Sequence, residues 1–155
     1  MSSFERVTCI DPGKASGWAQ YSGGKLFACG IFSDWQYPQV WHGGFQQLVL
    51  EVPRIYPNRS KGDPNDIVEL ALTAGEIRGH YRPLVTSIIE VFPASWKGQV
   101  PKDIHHARVL RELGEDERRL LDVEKRKPTK TNPHGYDHNM LDAVALGLWF
   151  LKRMF

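Results

Sequence analysis

Three acidic residues stand where acid is costly. Asp11 ends the run "VTCID" just before Pro12 and Gly13, Glu51 lies inside "LVLEVP", and Asp142 lies inside "NMLDAVALGLW". Strands deplete Asp, and a carboxylate buried without a partner costs several kcal/mol, so each of the three must be held by something. No Lys or Arg adjoins any of them in sequence, and the economical shared partner is a set of bound cations. Oxygen donors alone suit hard, hydrated ions such as Mg²⁺ or Mn²⁺. Two such ions about 3.5–4 Å apart stabilise the attacking and leaving oxygens of an in-line displacement at phosphorus. Taken singly, a cap or an ion pair explains any one of these residues; the three together point to a metal site.

The elements that must position them are legible from pattern. Residues 5–11 read as a strand, and "SGWAQYSGGKLFACGIFS" reads as a hairpin about Gly23-Gly24, so three antiparallel strands open the chain. "DWQYPQVWHGG" has aromatics, Pro and Gly without helical period and reads as a loop; "FQQLVLEVP" is apolar enough for a strand covered on both faces. An amphipathic helix follows, capped by Asn65 or Asp66, with Ile67, Leu70, Ala71 and Ala74 at helical spacing. "VTSIIEVFP" is a further strand, "DIHHARVLREL" a charged helix, and residues 114–136 a charged, Pro-containing stretch with one short helical piece. "HNMLDAVALGLWFLKRMF" is apolar nearly all round and reads as a buried helix, which makes the whole an α/β chain with a mixed sheet.

Composition sets the bounds. At 155 residues the chain fits one domain, residues 1–155, and its formal net charge of +2 permits a nucleic-acid partner without requiring one. There is no apolar run of membrane length and "MSSFER" is no secretory leader, so the expected location is the cytoplasm, with no membrane partner. Cys9 and Cys29 fall in strand-like runs with no metal-type spacing and read as small buried hydrophobes.

The strand end "IDPG" followed by "SGWA", the glutamate strand "LVLEVP" and the late helical "DAVALGLW" resemble, in order and spacing, the RuvC-type Holliday-junction resolvases of the RNase H-like superfamily. The resemblance runs from about residue 6 to residue 152, and "GDPND" and "FPASWKGQVPK" are similar to the small bacteriophage-type members. It implies an RNase H-like mixed five-stranded sheet, its first three strands antiparallel, with helices on both faces. It also implies a bacterial or phage-encoded homodimeric endonuclease that cuts four-way junctions and other branched DNA with two Mg²⁺ or Mn²⁺ ions per site and no nucleotide cofactor. Asp11, Glu51 and Asp142 match the family's metal ligands. Its fourth ligand, an acid or a histidine, stands three residues before the last aspartate, where this chain has Asn139. His138, four residues before Asp142 and on the same helix face, is the favoured substitute as ligand or proton carrier, with Asp137 behind it. The family's helix before the glutamate strand is replaced here by the aromatic loop.

Lys97 and Lys102, flanking a Gly-containing turn, match the region where the family's lysines approach the scissile phosphate. Arg59 and Lys61 in "RSK", and the segment "EKRKPTK" at 124–130, are further basic clusters for DNA arms, and Tyr56 is the candidate wedge at the branch point. Symmetric cutting of a near two-fold junction asks for a two-fold dimer, for which the helix carrying Ala71, Ala74 and Gly75 is the candidate interface. The competing readings are a branched-DNA-binding module that has lost its metal set, a nuclease of the same fold acting on RNA, flaps or forks, and an actin-like phosphotransfer half.

Overall fold

The computed structural model describes residues 5–40, 45–55 and 62–154. Five strands form one sheet: β1 (Arg6–Asp11), β2 (Ser16–Ser22), β3 (Lys25–Phe32), β4 (Gln46–Glu51) and β5 (Ser87–Val91), in the order β3-β2-β1-β4-β5. β1, β2 and β3 pair antiparallel, while β4 joins β1, and β5 joins β4, in parallel. The β2–β3 turn is made by Gly23 and Gly24, with φ of 56° and 82°, the left-handed values that a two-residue hairpin demands.

Helices cover both faces. α1 (Pro64–Tyr81) lies on one; α5 (His138–Phe150) lies on the other, with the short α2 (Pro93–Trp96), α3 (Lys102–Glu112) and α4 (Glu115–Leu120) around it. Side chains alternate along a strand, and the two cores divide accordingly. Val7, Cys9 and Val49 pack with Leu141, Val144 and Leu148 of α5; Ile10, Leu48 and Leu50 pack with Ala74, Ile77 and Tyr81 of α1. β4 is thus buried on both sides, as its composition predicts.

Two close approaches seat α5. A Cβ on Gly17 in β2 would run into the Asn139 carbonyl and the Met140 nitrogen, and one on Gly147 would run into the Tyr21 ring. Tyr21 Oη donates to the Val144 carbonyl at 2.7 Å, which pins the middle of α5 to β2.

Three details depart from the sequence expectation. The cap of α1 is Asp63, whose Oδ1 accepts from the Asn65 amide at 2.9 Å, because Pro64 occupies the first helical position, where its missing N–H costs nothing. Ala71 is exposed and Ile67 and Leu70 only half-buried; the helix meets the sheet from Ala74 onward. The charged stretch holds a 3₁₀ turn (Leu121–Glu124) after α4 as well as the one short helix expected. The described part of the aromatic loop, residues 33–40, has neither helix nor strand, and Tyr37 stacks on His80 at the end of α1 with ring centroids 4.0 Å apart.

Candidate active site

Register brings the carboxylates together. Asp11 and Glu51 end neighbouring parallel strands, one step beyond the paired Ile10 and Leu50. They share the parity of Val7, Cys9 and Val49, so both point to the face that α5 covers. Asp142, near the start of the second turn of α5, meets them there. Glu51 and Asp142 are only 8% and 6% exposed.

Each carboxylate has a different set of partners. Glu51 accepts a hydrogen bond from the Trp96 indole N–H at 2.8 Å, and Lys97 Nζ stands 3.1 Å from each of its oxygens. Asp142 is held by His106 Nε2 at 2.9 Å from Oδ1, while Lys102 Nζ lies 3.7 Å from Oδ2. Burial alone would raise the Asp142 carboxyl, but the His106 hydrogen bond, with Lys97 and Lys102, outweighs it and holds the group below its ordinary value. Burial likewise works against the Lys97 ammonium, and Asp11, Glu51 and Asp142 together keep its proton on more tightly than usual.

Asp11 is pushed up to about 8, by burial first and then by the charges of Glu51 and Asp142 and a hydrogen bond with Glu51, against the pull of Lys97. A carboxyl that keeps its proton near neutrality for want of positive charge, beside two further carboxylates, is a donor set that fits a hard divalent cation. Asp11, Glu51 and Asp142 are the residues that would hold it. Lys97 and Lys102, expected on DNA phosphates, reach the carboxylates from the end of α2 and the start of α3, contacts between residues far apart in sequence.

The three candidates for the fourth position divide by what their side chains already do. Asp137 is the cap of α5, its Oδ1 accepting from the amides of Asn139 and Met140. Asn139 donates from Nδ2 to the Ala15 carbonyl at 3.0 Å, tying the β1–β2 turn to α5. His138 lies beside His106, ring centroids 5.0 Å apart, and is near enough to Asp142 to feel its charge. Arg59, Lys61 and Tyr56 lie outside the described residues. Lys125, in the basic stretch before α5, stands 3.9 Å from Asp122 and 5.6 Å from the Tyr136 ring centre.

His106 and His134 escaped the sequence reading, as did the bond from Trp96, expected only to pack the turn beside Lys97, to Glu51. His105 and His106 adjoin in α3, both buried, in a helix otherwise rich in charge; two adjacent histidines on the covered side were the available signal.

No family model matches the chain, and no curated protein matches its sequence. Among solved structures it is similar to Thermus thermophilus RuvC in complex with a Holliday-junction substrate, with 16% identity and a TM-score of 0.50 over 93% of this chain and 90% of that one. It is also similar to Thermus thermophilus RuvC by itself, with 15% identity and a TM-score of 0.43 over 92% of this chain and 91% of that one. At this identity the likeness is one of architecture, and it agrees with the strand order and two helical faces described above: the chain has the RNase H-like fold of RuvC.

Proposed function

We propose that this chain is a small, phage-type, divalent-cation-dependent endonuclease that resolves four-way DNA junctions and related branched DNA in the bacterial cytoplasm, working as a homodimer. The observation that carries the reading is the meeting of Asp11, Glu51 and Asp142 on one sheet face, with Asp11 raised to about 8 by burial and then by the other two. The fold shared with RuvC, one of whose structures holds a Holliday junction, supports the substrate class.

Two Mg²⁺ or Mn²⁺ ions held by Asp11, Glu51, Asp142 and His138 would supply an activated water and neutralise charge on the attacking and leaving oxygens. The chain's own groups prepare that arrangement. The Trp96 N–H fixes the Glu51 rotamer and His106 fixes Asp142, so neither carboxylate has to be ordered when substrate arrives. His138, beside Asp142, would serve either as that fourth ligand or, unligated, as the group that moves a proton to or from the water. In this reading Lys97 and Lys102 would contact the scissile phosphate in place of Glu51 and Asp142, Arg59 and Lys61 would follow the backbone of the arms, and Tyr56 would wedge at the branch. No protein nucleophile is needed, and neither cysteine suits the role: Cys9 and Cys29 are buried, and burial pushes the Cys29 thiol up to about 12 and that of Cys9 higher still.

A second reading has one observation in its favour. Lys97, centred on both oxygens of Glu51, is the arrangement a binding module would keep if lysine had replaced the metal. Cleavage of an end-labelled immobile four-way junction, against linear duplex of the same sequence, separates the two. The expected result is paired symmetric nicks near the branch that require Mg²⁺ or Mn²⁺ and fall at least about 100-fold in Asp11→Asn. Tight junction binding without cleavage in any metal would establish the binding module instead.

A further inference from the structure

We infer that His106, His134 and His138 form a second metal site, a trihistidine seat for a borderline transition-metal dication such as Zn²⁺, separate in donor chemistry from the carboxylate site. One nitrogen from each ring lies within 4.8 Å of the other two, although the three residues come from α3, the segment before α5 and the first turn of α5. Neutral imidazoles suit Zn²⁺, Co²⁺, Ni²⁺ and Cu²⁺, whereas the hard ions favoured by Asp11 and Glu51 prefer oxygen.

The surroundings are those of a ligand set. His106 is 2% exposed, and its Nε2 is taken by Asp142, which leaves Nδ1 as the nitrogen free to bind. A ligating histidine held through its second nitrogen by a carboxylate is a recurrent arrangement at metal sites. His134 and His138 are half-buried, and a cavity of about 400 Å³ lined by Lys102, Thr131, Pro133 and the three histidines opens beside them, room for a water in a fourth coordination position.

Tetrahedral bonds of about 2.0–2.1 Å require nitrogens about 3.4 Å apart, so the rings must close by a little over an ångström at the widest pair. Rotation of the two half-buried side chains is the available motion. Closing also has a chemical mark. His134 Nδ1 accepts a hydrogen bond from the Tyr136 amide at 3.0 Å, which fixes the neutral ring's proton on Nε2. Whichever nitrogen ligates, that bond is given up: Nδ1 cannot hold both the ion and the amide, and ligation through Nε2 moves the proton onto Nδ1.

The inference touches the nuclease reading at His138, which serves one site at a time, but does not rest on cleavage. The probe is Co²⁺ titrated into Asp11→Asn protein, whose carboxylate site is crippled, read by visible d–d absorption and by the Tyr136 amide resonance. One Co²⁺ per chain, displaced by Zn²⁺ and not by Mg²⁺, with the Tyr136 amide shifting, is the expected result. His134→Ala, at a half-buried position and checked for folding by circular dichroism, should weaken Co²⁺ at least about tenfold, and His138→Gln should do the same. Absence of the Co²⁺ spectrum, or its survival unchanged in both folded variants, overturns the second site. Junction cleavage in Mg²⁺ is scored separately, so the nuclease reading stands or falls by itself.

Discussion

Asp11 makes the folded protein depend on pH in an unusual direction. Its carboxyl is raised to about 8 in the fold, against 3.8 ordinarily, so the folded state holds a proton that the unfolded chain releases. Stability from this group is therefore full below about pH 4 and is lost as pH rises towards 8. Against the opposite slope of His105, His134 and His138, which burial makes harder to protonate in the fold, the Asp11 carboxyl should lower the stability of the wild type in chelator between pH 5 and pH 8 by an amount on the order of a few kcal/mol. Asp11→Asn should flatten that slope and raise the melting temperature at pH 8, as should Mg²⁺ in the wild type. A wild type that does not lose stability relative to Asp11→Asn over this range would contradict the raised Asp11 carboxyl. Lys97 gives the complementary expectation. On the proposed mechanism it would compete with cations for Glu51, so Lys97→Met should bind Mg²⁺ several-fold more tightly by calorimetry, while its junction-cleavage rate at saturating Mg²⁺ should fall about tenfold or more through loss of the proposed phosphate contact. Equal affinity in the two proteins would mean that the lysine and the cation do not share Glu51.

At the scale of elements, the site depends on how closely α5 lies on β2. Gly17 leaves no room for a Cβ against the Asn139 carbonyl, one turn before Asp142, and Asn139 in turn donates to the Ala15 carbonyl. Gly17→Ala should destabilise the fold by about 1–3 kcal/mol and lower cleavage by more than the loss of folded protein explains, because it moves Asp142 away from Asp11. Tm and the rate per folded molecule, measured together, check this. Much of this geometry was legible in sequence: "LVLEVP" as a strand buried on both sides, Gly23-Gly24 as the hairpin turn and the apolar final helix all follow from local pattern, and they are what carry the three carboxylates. The cap at Asp63 was not, because two candidate cap residues stand just beyond Pro64 in a run where all are polar. The partners of the carboxylates were not either. Trp96, Lys97, Lys102 and His106 lie 36 to 46 residues from the groups they hold, and nothing in their local sequence names Glu51 or Asp142 as the destination.

At the scale of the whole molecule, a junction with two strands to cut asks for two copies of the site related by a two-fold axis. In the proposed homodimer the outward face of α1 is the surface that would make that contact. Val68 and Leu72, four residues apart on one side of the helix, are 53% and 66% exposed, and beside them Ala71, Gly75 and Gly79 present little side chain, with open space around both glycines. The same helix packs on its own sheet through Ala74, Ile77 and Tyr81, so the outward stripe can be altered without opening the core. Residues of this kind allow a second helix to approach closely, and an exposed apolar pair would be covered by the approach. Leu72→Asp puts a charge into the exposed apolar pair that the proposed contact would cover. In light scattering the wild type should run as a dimer and Leu72→Asp as a folded monomer. In the junction assay the monomer should leave singly nicked products where the dimer leaves paired cuts. A wild type that is monomeric even with junction DNA present would remove the two-fold device, and symmetric cutting would then need two independent binding events on one branch point.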